Sequence, residues 1–135
     1  GTQNFASAAT LKSAIEFTNL LNDNKLVDKL DKIRDYLLDY LRSDERITLY
    51  GVPRGTNEEK IPLFSFTVKG IHHEDLALIL DKMGIAARSG QMCAEPLMTR
   101  FGVTGMLRVS LAPYNTLEEA EYFIRCLDKA IKMLQ

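Results

Sequence analysis

Apolar residues recur at helical spacing near both ends of this chain and gather into short runs between them. Spacings of three and four residues place side chains on one helix face, while strands are shorter and rich in branched and aromatic residues. Ala8, Leu11, Ile15, Thr18 and Leu21 define a first helix, and the small residues from Ala6 to Ala9 let another backbone approach it. Asp23 and Asn24 interrupt the pattern. A second helix carries Leu26, Leu30, Ile33, Leu37 and Leu41 on one stripe. Ile47–Tyr50 reads as a short strand. Residues 52–60 are polar, with Pro53, Gly55 and Asn57, and read as a loop. Leu63–Val68 is a strand by its aromatic and branched content. Residues 74–83 form an amphipathic helix that stops at Gly84. Ile85–Arg88 and Met106–Leu111 are the remaining strands. Thr116 and Glu119 have the spacing of a capping box at the start of a last helix. Its apolar stripe runs through Ala120, Phe123, Leu127, Ala130, Ile131 and Leu134, with Cys126 beside it as a packing residue.

Helices at the ends and short strands separated by helices predict an α+β fold, a sheet with helices on one side. Composition agrees with one compact domain: 135 residues can bury a core, and 46% apolar with 26% charged residues is ordinary for a soluble globular chain. A net charge of −1 gives no electrostatic reason to expect nucleic acid or an anionic membrane as partner. No apolar run has the length of a membrane span, and no signal peptide is visible. Cys93 and Cys126 have no metal-ligand spacing and read as free thiols of a reducing compartment, the cytoplasm. His72 and His73 are adjacent, share no helix face and read as residues opening a helix. Lys25, Lys29, Lys32 and Arg34 alternate with Asp28, Asp31 and Asp35, the pattern of a solvated helix face. Gly102 and Gly105 mark turns and do not form a phosphate-binding fingerprint.

Candidate chemistry concentrates between Arg88 and Met98, in the run Arg-Ser-Gly-Gln-Met-Cys-Ala-Glu-Pro-Leu-Met. It holds Cys93 in a loop, with Arg88 before it and Arg108 after it. A thiol reacts as the thiolate, which neighbouring cations favour. Two guanidiniums can also clamp a carboxylate. From residue types alone, Cys93 is either a nucleophile beside an anion-binding pair or a small buried hydrophobe.

The longer segment Gly84-Ile85-Ala86-Ala87-Arg88-Ser89-Gly90-Gln91-Met92-Cys93-Ala94-Glu95-Pro96-Leu97-Met98 resembles the active-site segment of the Suf-type (group II) cysteine desulfurases. These are class V aminotransferases and depend on pyridoxal phosphate. The resemblance continues from Gly102 through Arg108 to Tyr114-Asn115-Thr116, and at the start through Gly1-Thr2-Gln3-Asn4, so it covers nearly the whole chain.

That resemblance implies the small C-terminal domain of the aspartate-aminotransferase-like (fold type I) enzymes, with a short, mostly antiparallel sheet. Residues 1–22 are expected to be a helix connecting from a large domain, and residues 23–135 the small domain. In the family the cofactor is held by a Lys following a His. No His-Lys pair occurs here, so the chain is expected to be the C-terminal part of a larger enzyme and inactive by itself. The resemblance further implies that Cys93 attacks the substrate sulfur, yielding alanine and a persulfide that passes to a sulfur-acceptor protein. Arg108 matches the arginine that grips the substrate carboxylate, and Arg88 one that lines the same pocket. Thr2 matches a contact to the cofactor phosphate of the neighbouring subunit, which implies a homodimer. No metal is implied. Gln91-Met92 stands where the Suf-type enzymes carry His-His before the cysteine, so an imidazole that tunes the thiol is lost. A selenocysteine lyase, another class V lyase or transferase, and a stand-alone thiol carrier are the alternative readings.

Overall fold

The structure, a computed structural model, describes residues 3–23, 25–51 and 60–135. Thr2, Asn24 and the expected loop at 52–59 lie outside the described residues. The elements are α1 (Phe5–Asp23), α2 (Leu26–Ser43), β1 (Ile47–Tyr50), β2 (Leu63–Val68), α3 (His73–Lys82), β3 (Arg88–Gly90), α4 (Glu95–Phe101), β4 (Met106–Ser110) and α5 (Leu117–Leu134). The four strands form one sheet in the order β1-β2-β4-β3, and every neighbouring pair is antiparallel.

Strand side chains alternate between faces, and that alternation divides the molecule. Phe64, Phe66 and Val68 of β2 and Leu107 and Val109 of β4 point to one face and are buried. Ile33, Leu37 and Leu41 of α2, Leu76 and Leu80 of α3, and Phe123, Leu127 and Ile131 of α5 close over them. Each such side chain contributes about 1.5–3 kcal/mol when fully buried. The opposite face presents Ser65, Thr67, Met106 and Arg108, and the short helix α4 lies against it. There the Phe101 ring meets the Tyr50 ring with centroids 4.9 Å apart.

The termini of these elements follow local chemistry. α5 has the full capping box: Thr116 Oγ1 accepts from the Glu119 N–H, and the Glu119 carboxylate accepts from the Thr116 N–H. The Arg46 guanidinium donates to Asp44 beside it and to Asp128 of α5 at 2.9 Å, fastening the start of β1 to the last helix. α1 differs from the other long helices. Phe5, Leu11, Ile15, Phe17 and Leu20 are exposed, and no α1 residue belongs to the buried core cluster.

Two expectations change. The strand expected at Ile85–Arg88 is displaced to Arg88–Gly90, because the Ile85 N–H is spent on the Leu80 carbonyl at the end of α3. The segment after Cys93 is helical. Pro96 lies in the first turn of α4, and Gly102, at φ 68, ends it in the left-handed conformation. Pro near a helix start and Gly just past its end is the usual asymmetry of helix termini.

His73, the first residue of α3, is the one buried polar or charged residue among the described residues, and its Nδ1 has no hydrogen-bond partner there. Its ring lies flat on Gly105. A Cβ at position 105 would collide with the His73 ring at Nε2, Cε1 and Cδ2. Gly105→Ala should therefore cost about 1–3 kcal/mol in urea unfolding, and most of that cost should vanish in a His73→Ser background. Burial lowers the His73 pKa, with repulsion from His72 adding to it. The unfolded chain then binds the proton first, at about pH 6.5. Stability should stay level above that pH and fall below it, and His73→Asn should flatten the fall.

Candidate active site

The register of the sheet builds the site. Tyr50 pairs with Ser65, Ser65 with Arg108, and Arg108 with Arg88. Directly opposed residues share a face, so these four side chains form one row across the solvent side of the sheet. The two arginines sequence reasoning singled out are thus direct cross-strand neighbours. Like charges in that position repel. Neither forms an ion pair among the described residues, and Arg108 Nε is buried without a hydrogen-bond partner. A buried donor left unmade is costly, and an anion bound here would offset both penalties.

A cavity of about 380 Å³ opens over this row. Arg108 and Ser65 lie on its sheet side, with Leu63 and Met106. Leu97, Met98 and Phe101 of α4 form an apolar wall, Gln91, Met92 and Ala94 come from the loop before α4, and Lys60 stands at the entrance to β2. Among the described residues no carboxylate lines it. Its chemistry is that of an apolar pocket with cationic groups, suited to a carboxylate on a short apolar body. Lys60 was assigned to a polar loop in the sequence, and nothing local to it signals a cavity.

Cys93 sits at the rim, between lining residues Met92 and Ala94, and its side chain is exposed. The Ala94 N–H bonds to the Gln91 carbonyl at 3.0 Å, closing a four-residue turn. Both central residues are left-handed, Met92 at φ 56 and Cys93 at φ 60. That pattern belongs to type I′ turns, which favour Gly and Asn. Two side-chain-bearing residues there cost about 1–2 kcal/mol each. The turn is held by β3 on one side and α4 on the other, and it lifts the thiol clear of the sheet. Arg88 is exposed beside the cavity rather than among its lining residues, and Thr2 lies outside the described residues. Cys126 is buried on α5 within the core, as its place beside the apolar stripe implied.

Limiting iodoacetamide followed by peptide mapping should alkylate Cys93 well before Cys126. Equal labelling would contradict the difference in burial.

Residues 1–123 match the family model described as Aminotransferase class-V. A probable cysteine desulfurase of Xylella fastidiosa is 37% identical over 134 residues, covering 99% of this chain and 31% of that protein. The cysteine desulfurase CsdA of Escherichia coli K12 is 44% identical over 72 residues, 53% of this chain and 18% of that one. The crystal structure of the E. coli CsdA aligns with a TM-score of 0.82 at 30% identity, covering 100% of this chain and 32% of that chain. The apo cysteine desulfurase of Thermococcus onnurineus NA1 gives 0.80 at 33% identity, with 99% and 33% covered. The α+β domain expected from the sequence is therefore the one these solved enzymes contain, and the chain spans about a third of their length. With that fold and a family model that runs through most of its residues, the chain belongs to the class-V aminotransferases.

Proposed function

We propose that this chain supplies the nucleophile and the carboxylate-binding side of a Suf-type cysteine desulfurase. The observation that carries the reading is an exposed Cys93, held on a left-handed turn at the rim of a cavity with the unpartnered Arg108 guanidinium. In this reading residues 23–135 are the small domain. Residues 1–22, whose helix shares no core with the rest, connect it to the part of the enzyme that holds the cofactor.

Pyridoxal phosphate, which the family implies, supplies an electron sink for the amino acid when bound. The orphaned Arg108 Nε and the apolar walls fit the acid end and the body of an amino acid held there. Arg108 takes the substrate carboxylate and fixes its orientation. The α4 wall excludes water from the sulfur. The Cys93 thiolate attacks the substrate sulfur, so that an S–S bond forms and the substrate C–S bond breaks. The electron pair remains with the substrate carbon, which takes a proton and leaves as alanine. The persulfide on Cys93 stays at the surface, where a thiol of an acceptor protein removes the outer sulfur by exchange. Thr2 completes the phosphate site of a second subunit, so the enzyme works as a homodimer, and its free thiols suit the cytoplasm. Met92, lining the cavity where Suf-type enzymes carry histidine, provides no proton to the sulfur. Selenocysteine, whose carbon–selenium bond breaks more readily, depends least on that missing group.

The chain alone, mixed with pyridoxal phosphate and desalted, should be colourless and form no alanine from cysteine. Alanine from the chain alone would overturn the division of labour. Joined in one polypeptide to the cofactor-bearing part of such an enzyme, it should release sulfide from L-cysteine with a reductant. Cys93→Ser should lower that rate at least about 100-fold and spare selenide release from selenocysteine more. An unchanged rate on cysteine would remove Cys93 from the mechanism.

A further inference from the structure

The cavity over Arg108 holds more donors than one guanidinium. Three of its lining residues carry donors: Arg108, whose Nε is buried without an acceptor among the described residues, Ser65 and Lys60. Ser65 is the direct cross-strand partner of Arg108. Lys60 stands just before β2, and its Nζ is 5.9 Å from the centroid of the Phe64 ring. No described carboxylate pairs with it. An ammonium that gives up part of its hydration without gaining an anion is unfavourable. Here burial lowers the Lys60 pKa, and the positive charge of Arg42 lowers it further.

We propose that Lys60 is a second anchor, with Arg108, for the carboxylate of the substrate, and that the Ser65 hydroxyl completes the set. This rests on the reading of the cavity as the substrate side of a desulfurase and names residues beyond those aligned with the family. The chemistry is complementary. A carboxylate offers about four lone-pair positions on two oxygens. A guanidinium fills two of them in a fixed fork, and an ammonium on a flexible stem can approach from another side. The rest of the cavity, with Leu63, Leu97, Met98 and Met106, receives the apolar body. A bound carboxylate would bring a negative charge to two cationic residues that have no ion-pair partner among the described residues.

Met92, Met98 and Met106 all line the cavity, so their methyl groups report on binding without the cofactor. The test is a methyl-labelled NMR titration of the full chain with butyrate, and in parallel with inorganic phosphate. Wild type should bind butyrate in preference to phosphate. Lys60→Met should weaken butyrate about five- to tenfold, as for one charge-assisted contact on a partly exposed group, while Lys60→Arg keeps most of the affinity. Arg108→Gln should weaken it as much or more. If Lys60→Met binds as wild type while Arg108→Gln does not, Lys60 is a bystander and the desulfurase reading stands. If neither substitution changes binding, the cavity is not a carboxylate site and both readings fall. Tighter binding of phosphate than of butyrate overturns the carboxylate assignment. The methyl spectra of the free variants show in the same experiment that each is folded.

Discussion

β2 and β4 carry two incompatible sets of side chains, and their alternation keeps the sets apart. Phe64, Phe66, Leu107 and Val109 must be dry, whereas Ser65 and Arg108 must be reachable from solvent. A slip of one residue in the β2–β4 register would exchange the sets, placing a guanidinium among the helices and two phenyl rings in water. The hydrophobic core therefore does more than stabilise the chain. By fixing which residue of β4 faces Phe66, it fixes where Arg108 stands relative to Ser65 and Arg88. The helices α2, α3 and α5 enforce from one face of the sheet the geometry of a site on the other.

The parts of the fold that were legible in the sequence are those whose physics is local. The capping box of α5 needs only Thr116 and Glu119, and its apolar stripe needs only its own periodicity. The aromatic and branched content of β2 announces a strand before any partner is known. Arg88–Gly90 escaped because pairing with β4 decides it: the apolar Ile85, Ala86 and Ala87 look more like a strand, yet the end of α3 takes the Ile85 N–H. α4 escaped because it is seven residues long and too short for a periodic signal, although Pro96 and Gly102 marked its two ends.

The candidate site divides the same way. Cys93 and the two arginines stand out by residue type and by resemblance. The left-handed backbone at Met92 and Cys93 has no signature in side chains that normally avoid it. Lys60 and Ser65 look like ordinary polar positions until the sheet register brings them to one cavity with Arg108. His73 is a similar case. Nothing in two adjacent histidines indicates that one will be pressed onto the backbone of Gly105.

The first helix has its own logic. At 19 residues it is about 28 Å long, roughly twice the radius of gyration of about 14 Å expected for a compact chain of this size. Its apolar residues are exposed along its length and take no part in the core cluster. Polar substitutions at its exposed apolar positions therefore remove little buried apolar area from the core. Leu11, Ile15 and Phe17 thus answer to a different constraint from Leu37 or Leu127: their size is not set by the packing of the core, and one polypeptide carries two sets of apolar residues with separate tolerances to change.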